Sequence, residues 1–323
     1  MATTFVPVVC ALCGADQPVM LYEGRDRLLG HSGTFTIVRC ARCGLVYQSP
    51  RPEPIAPFYE GSYLPFESQE IVWRPVLKRH QKEKPVFQGA AGLHYNVFRQ
   101  VVPWRRGSLL DVGCATGDFL EAMARFGWRV QGVEPHGPSA EQANRRLAGY
   151  ADQAVRVGTL EQAGFPDAAF DVITLWHVIE HLPHPRRTLQ EIRRILKPGG
   201  LCLIQTPCWG SLESFLFGPY WSGLDCPRHF WIFSRLTLQA LAEQSGFSIW
   251  QQPHAPSYPM YALSAMFLAS HWFGRQAGDA VFRFLHRPLI DRLASVAVKP
   301  LDLAGLGSQL TVVLVHAAGN EPQ

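Results

Sequence analysis

Short apolar runs alternate with amphipathic spacers through the second half of the chain. The runs at residues 109–112, 130–133, 154–157, 170–175 and 201–204 are too short for core helices. Their continuous apolar character is that of parallel strands covered on both faces. Between them, residues 119–126, 139–147 and 186–196 repeat apolar positions at helical spacing, and Lys197-Pro198-Gly199-Gly200 closes the last of these as a helix stop. This alternation predicts an α/β, doubly wound sheet that binds ligands at the C-terminal ends of its strands. Two further strands, 247–251 and 310–315, flank residues 253–308. There Met260, Phe267, Trp272, Phe282 and Leu289 mingle with Arg275, Arg283, Arg287 and Arg292, which predicts two or three amphipathic helices. Residues 78–102 are polar and helix-compatible.

The first fifty residues have a different rhythm. Cys10-Ala11-Leu12-Cys13-Gly14 and Cys40-Ala41-Arg42-Cys43-Gly44 are two knuckles, each with a trailing glycine. Two thiolates three residues apart on a tight turn converge on one ion, and a second such turn completes a tetrahedral four-thiolate site. Structural zinc held by Cys10, Cys13, Cys40 and Cys43 is the expectation, with residues 34–38 as part of a zinc-ribbon hairpin. The module, residues 1–50, is expected to be separable from the chemistry. Four prolines between Ser49 and Pro57 exclude a helix or central strand and read as a linker. Residues 51–105 are then linker and N-terminal helices, and 106–323 the main domain.

Composition narrows the partners. The 323 residues are 47% hydrophobic and 17% charged with a formal charge of +4, enough for one α/β core and an accessory piece. Lys/Arg blocks are lacking, so nucleic acid is not the expected partner. The N-terminus has no secretory pattern, and no apolar run reaches the ~18 residues of a spanning helix. A cytoplasmic protein is expected, peripheral on the inner face of a membrane if residues 253–308 touch lipid. Cys114, Cys202, Cys208 and Cys226 read as buried small apolar residues.

The first strand of the main domain enters Asp111-Val112-Gly113-Cys114-Ala115-Thr116-Gly117, a turn whose glycines let backbone approach a ligand closely. The next strand ends at Glu134, where a carboxylate can take both hydroxyls of a ribose. Together they describe an adenosine site. The spacing G-x-x-x-G, preceded by Asp111, fits a pyrophosphate poorly. From Leu110 to Pro207 the chain resembles the class I S-adenosylmethionine-dependent methyltransferases, within them the ubiquinone-biosynthesis O-methyltransferase-like group. The resemblance rests on the glycine turn, on Phe170-Asp171-Val172-Ile173, on His177-Val178-Ile179-Glu180-His181-Leu182 and on Leu196-Lys197-Pro198-Gly199-Gly200. A weaker echo follows at Pro227-Arg228-His229-Phe230-Trp231-Ile232-Phe233-Ser234. Ala115 stands where that family often has a third glycine, and is tolerated wherever φ is negative.

The resemblance implies a Rossmann-like sheet, S-adenosylmethionine as cofactor and methyl transfer to a small-molecule or lipid-linked acceptor, most simply a hydroxyl oxygen. It implies Asp111, Gly113, Ala115 and Gly117 around the methionine end, Glu134 on the ribose, Thr159, Leu160 and Glu161 along the adenine, and Leu175 and Trp176 beneath the sulfonium. A hydroxyl acceptor needs a base. His177, His181, His184, Asp225 and His229 are candidates, with His229 first and His181 second, because residues 209–233 are an aromatic-rich cap. His177, Glu180 and His181 resemble a magnesium motif of some relatives, but His in place of its first Glu favours a structural role. An RNA methyltransferase that grips nucleic acid with the ribbon, or a non-catalytic scaffold, are the alternatives. Modest charge opposes the first, the intact glycine turn the second.

Overall fold

The computed structural model describes residues 3–60, 72–74, 84–86, 89–102, 106–151 and 154–317. Five short strands make the N-terminal module: β1 Thr4–Val6, β2 Pro18–Gly24, β3 Phe35–Cys40, β4 Val46–Gln48 and β5 Arg51–Glu53. β2 pairs antiparallel with β3, and β3 with β4. Both knuckles fold as one turn, in which the Gly14 N–H donates to the Cys10 carbonyl (2.8 Å) and the Gly44 N–H to that of Cys40 (2.9 Å). Both glycines have positive φ, 69° and 78°, which explains the trailing glycine after each pair. The proline-rich stretch read as a linker is built into this module, for β5 pairs with β1 and Ala56–Tyr59 is a 3₁₀ turn. An edge strand tolerates Pro52 because no partner needs its missing N–H.

A two-stranded pair, β6 Val72–Arg74 and β7 Lys84–Val86, and helix α1 Gly89–Val101 follow. Residues 78–83 and 87–88 of the helix-compatible stretch lie outside the described residues. The main domain then runs β8 Ser108–Val112, α2 Asp118–Arg125, β9 Arg129–Glu134, α3 Gly137–Leu147, β10 Val155–Val157, α4 Leu160–Ala163, β11 Phe170–Trp176, α5 Pro185–Ile195 and β12 Leu196–Pro207. After these come α6 Leu212–Phe217, β13 Trp231–Ile232, α7 Arg235–Gln244, β14 Phe247–Gln251 and β15 Gln309–His316, with α8 Tyr258–Phe273, α9 Arg275–Leu285 and α10 Pro288–Leu303 between the last two strands. Seven strands form one sheet in the order β10-β9-β8-β11-β12-β15-β14, parallel except that β15 runs against both its neighbours. Leu109, Leu110, Ile173, Leu203 and Ile204 are fully buried in it. Each such side chain contributes about 1.5–3 kcal/mol, enough to hold the register against a one-residue slip. The order reverses between β8 and β11, which opens a crevice beyond their C-terminal ends.

The module does not stand apart from this domain. β13 pairs antiparallel with β4, so the ribbon's sheet has the order β13-β4-β3-β2 and ends in a strand from the cap. A Cβ on Gly24 would meet Cys226 Sγ at 2.4 Å, so module and cap approach to glycine distance. The partner strand of β4 begins two residues after His229.

Residues 253–308 form three helices. α8 buries Tyr258, Ala262, Ser264 and Phe267, whereas α9 buries only Gly278 and α10 nothing. Trp272 (68%), Phe273 (79%), Leu289 (68%) and Val296 (65%) remain exposed.

Candidate active site

The glycine turn lies where β8 hands over to α2. Gly113 and Gly117 have φ of 68° and 78°. A Cβ on Gly113 would strike Val178 at 2.6 Å, and one on Gly117 would strike Ala143 at 2.9 Å, so both positions need glycine for conformation and for space. Ala115 has φ of +47°, which corrects the expectation of a negative φ there. An L-residue in that region costs about 1–2 kcal/mol. Its N–H points into the turn and donates to Glu134 Oε2 at 2.9 Å.

Glu134 ends β9 and is buried. Its other oxygen accepts the His136 N–H at 2.8 Å. Each carboxylate oxygen thus holds one backbone donor and keeps a lone pair, which suits a ligand that brings two hydroxyls. Burial raises the Glu134 pKa against those two backbone bonds. Asp111 is buried beside it and accepts a 2.6 Å hydrogen bond from the Thr174 hydroxyl. Burial pushes its carboxyl up to about 7, against that bond and with help from the charge of Glu134. Thr159 precedes α4 and its N–H donates to Gln162 Oε1. Leu160 is buried, and Glu161 accepts the Thr188 hydroxyl at 2.6 Å. Leu175 is fully buried in β11, while Trp176 at its end stacks on His94 of α1 with ring centroids 4.6 Å apart. Burial holds His94 well below the usual imidazole range, so a neutral ring covers Trp176.

The crevice's far wall is the segment after β11. His177 has φ of 55°, and its Nδ1 lies 3.2 Å from Glu180 Oε1. The fold brings His181 and His229 together, their rings edge to face with centroids 4.6 Å apart. His229 Nδ1 is 2.8 Å from the Gly223 carbonyl, which can only accept, so Nδ1 carries a proton. His181 Nδ1 lies 3.0 Å from the Arg228 carbonyl and by the same logic carries a proton. Burial and His229 hold His181 down at about 4, against Glu180 and Asp225. Of the other candidates, Asp225 Oδ2 is 3.9 Å from His229 Nε2, and His184 is exposed at the head of α5.

Residues that the sequence did not point to complete this wall. The Tyr59 hydroxyl, from the 3₁₀ turn after β5, lies 3.0 Å from His181 Nδ1 across 122 residues. Burial and the charges of Asp225, Glu180 and Glu134 raise its pKa against Arg228. Arg228 is fully buried and pairs with Asp26 of the module and Asp225 of the cap. No local pattern marks Tyr59 or Asp26, because each meets its partner only through the tertiary fold.

The four module cysteines converge as their spacing predicts. Their sulfurs all lie within 4.8 Å of one another, with Cys10 to Cys43 at 3.3 Å and Cys13 to Cys40 at 3.6 Å. Those separations exceed a disulfide by more than an ångström and suit four sulfurs about 2.3 Å from one zinc ion. Against burial, the backbone N–H groups of Cys43 and Arg42 pull the Cys40 thiol down to about 7. Cys114, Cys202, Cys208 and Cys226 are buried thiols whose pKa values burial raises.

A family model described as a methyltransferase domain matches residues 91–252. Among curated proteins, the malonyl-[acyl-carrier protein] O-methyltransferase of Serratia marcescens is 33% identical over 40% of this chain and 49% of its own length. The ubiquinone biosynthesis O-methyltransferase of Maricaulis maris is 37% identical over 32% of this chain and 42% of its own. The chain thus spans about half the length of these relatives. A crystal structure of an S-adenosylmethionine-dependent methyltransferase from Thermotoga maritima aligns over 49% of this chain and 72% of that one, with 26% identity and a TM-score of 0.41.

Proposed function

The chain belongs to the class I S-adenosylmethionine-dependent methyltransferases, and on that premise we propose that it moves a methyl group from S-adenosylmethionine to a hydroxyl oxygen of a small molecule. The observation that carries this reading is the contact between two half-sites. The glycine turn with Glu134 abuts Val178, and three residues further along the same segment stands His181 with His229. The sulfonium supplies an already activated methyl group, so the chain has mainly to align it and to take a proton. Glu134 would hold the ribose hydroxyls, and Asp111, Gly113, Ala115 and Gly117 the methionine end. Thr159, Leu160 and Glu161 would edge the adenine, with Leu175 and Trp176 near the sulfonium. In the transfer the sulfur–methyl bond breaks as the oxygen–methyl bond forms. The hydroxyl proton passes to Nε2 of His229, with His181 as the second candidate, and S-adenosylhomocysteine leaves.

Calorimetry with S-adenosylmethionine tests the cofactor half. Wild type should bind one equivalent, and Glu134→Ala should weaken binding at least tenfold, since each hydrogen bond to the carboxylate is worth about 1–3 kcal/mol. Wild-type protein that does not bind the cofactor would end this reading. In the cysteine cluster, zinc would tie the knuckles together and take no part in the transfer.

A lipid-linked acceptor is a second reading, favoured by the exposed Trp272, Phe273, Leu289 and Val296 beside Arg275, Arg287 and Arg292. No helix among the described residues is long and apolar enough to cross a membrane. Such helices can instead lie in the headgroup layer. Sedimentation with anionic liposomes at low salt should carry the protein down, and its retention in the supernatant would leave residues 253–308 as a lid.

A further inference from the structure

Two oxygens from distant segments meet at one imidazole nitrogen. His181 Nδ1 lies 3.0 Å from the Arg228 carbonyl of the cap and 3.0 Å from the Tyr59 hydroxyl of the turn after β5. The carbonyl can only accept, so the Nδ1 proton faces both oxygens at once. The same ring meets His229 edge to face, with centroids 4.6 Å apart. Tyr59 is brought there by a pinned backbone. Phe58 before it is buried and packs edge to face on Phe35 of β3, ring centroids 5.6 Å apart, and its carbonyl accepts the Arg228 guanidinium at 2.9 Å. Burial, with the charges of Asp225, Glu180 and Glu134, raises the phenol's pKa against Arg228, so Tyr59 keeps its proton at neutral pH. A phenylalanine would fill the same space, and the hydroxyl is therefore the part that packing does not explain.

We propose that Tyr59 is a positioning residue of methyl transfer: its hydroxyl, with the Arg228 carbonyl, fixes the plane of His181 beside His229, so that the four-cysteine module supplies part of the acceptor half of the site. The inference rests on the methyl-transfer reading and deepens it, since it names what aligns the two candidate bases. Alignment matters because displacement at the methyl group tolerates little error, and a misplacement of about 1 Å costs on the order of a hundredfold in rate. Asp26 and the Phe58 carbonyl hold the Arg228 side of this clamp, and Tyr59 is its other side. A catalytic ring held by such neighbours keeps its orientation before the acceptor arrives. The bonds that shape Glu134 come from the Ala115 and His136 N–H groups, so the cofactor half is built without the hydroxyl.

The zinc-loaded full chain, isotope-labelled in its histidines, reports the rings directly. His181→Gln and His229→Gln assign the two imidazoles in long-range proton–nitrogen correlation spectra. Tyr59→Phe keeps the aromatic ring and its packing. It should move the His181 Nδ1 resonance and, through the edge-to-face contact, the resonances of His229. His254 and His286, in the helical insertion, should not move, and the melting temperature and S-adenosylmethionine affinity should stay as in wild type. An unmoved His181 Nδ1 resonance overturns the proposal. Shifts that spread to His254 and His286 overturn it as well, because Tyr59 would then support the fold in general. Calorimetry with S-adenosylmethionine on the same samples separates the two levels. Cofactor binding with an unmoved His181 sinks the role of Tyr59 alone, whereas wild-type protein that binds no cofactor ends the methyl-transfer reading beneath it.

Discussion

The Arg228 guanidinium donates to both oxygens of Asp26, each at 2.8 Å, across 202 residues of chain and with both side chains fully buried. Arg228 also donates to the Phe58 carbonyl at 2.9 Å and to Asp225, so one side chain fastens the four-cysteine module, the turn that carries Tyr59 and the cap. The residue after it is His229. The module is therefore fastened to the segment that carries this candidate base.

Asp26→Ala should cost about 3–5 kcal/mol, because it strands a buried guanidinium. Denaturant unfolding of wild type and variant measures this, and a loss below 1 kcal/mol would refute the role. Hydrogen bonds from Arg228 hold the Asp26 carboxyl below its usual value despite burial. The folded pKa lies below the unfolded ~3.9, so the stabilisation is complete above that value and is lost as pH falls through the folded pKa. The wild-type advantage over Asp26→Ala should shrink accordingly in acid.

Ala115→Gly should stabilise the protein by roughly 0.5–1 kcal/mol. Relief at φ +47° outweighs the larger entropy of glycine in the unfolded chain. The N–H to Glu134 Oε2 is backbone and is kept. Chemical denaturation would expose the opposite sign if Ala115 were unstrained.

Glu213 is wholly buried and accepts hydrogen bonds from Ser264 of α8 and from Ser308. Burial pushes its carboxyl up to about 7 against those bonds. Between the unfolded ~4.3 and that value the native state holds the extra proton, so stability falls as pH rises through this window and the full cost is present above it. Glu213→Gln should remove the slope and be the more stable protein above pH 7, by on the order of 2–4 kcal/mol. Parallel stability–pH curves for wild type and variant would refute this.

Cys40→Ser should empty the four-cysteine site and lower the melting temperature, because it removes a thiolate that would tie the second knuckle to the first while leaving the backbone bond from the Cys40 N–H to the Leu45 carbonyl in place. Metal analysis of the purified full chain reads the first effect, calorimetry the second. Wild-type protein stripped of zinc that melted where the loaded protein melts would contradict a structural ion.

Much of this protein is legible in its residues because the relevant physics is local. Continuous apolar runs dictate β8, β9, β11 and β12, since only a sheet covered on both faces can bury them. Gly113 and Gly117 announce a turn that admits no Cβ, and each cysteine pair with its glycine announces a knuckle. Glu134 is found by its place at a strand end. What tertiary structure alone decided is whatever depends on distant segments meeting. The sign of φ at Ala115 follows from the path of the turn and not from the residue. The trailing strand β13, the Asp26–Arg228 pair and the Tyr59 contact with His181 required the module to fold back onto the cap. Glu180 and His181 were visible as a short motif and His229 as an echo further on. Their meeting, with one side-chain atom of each within 4.8 Å of the others, requires the cap to come back beside the segment after β11. A pattern of residue types carries periodicity and local conformation, whereas a site built from lone pairs is a matter of distances between parts of the chain that the pattern does not relate.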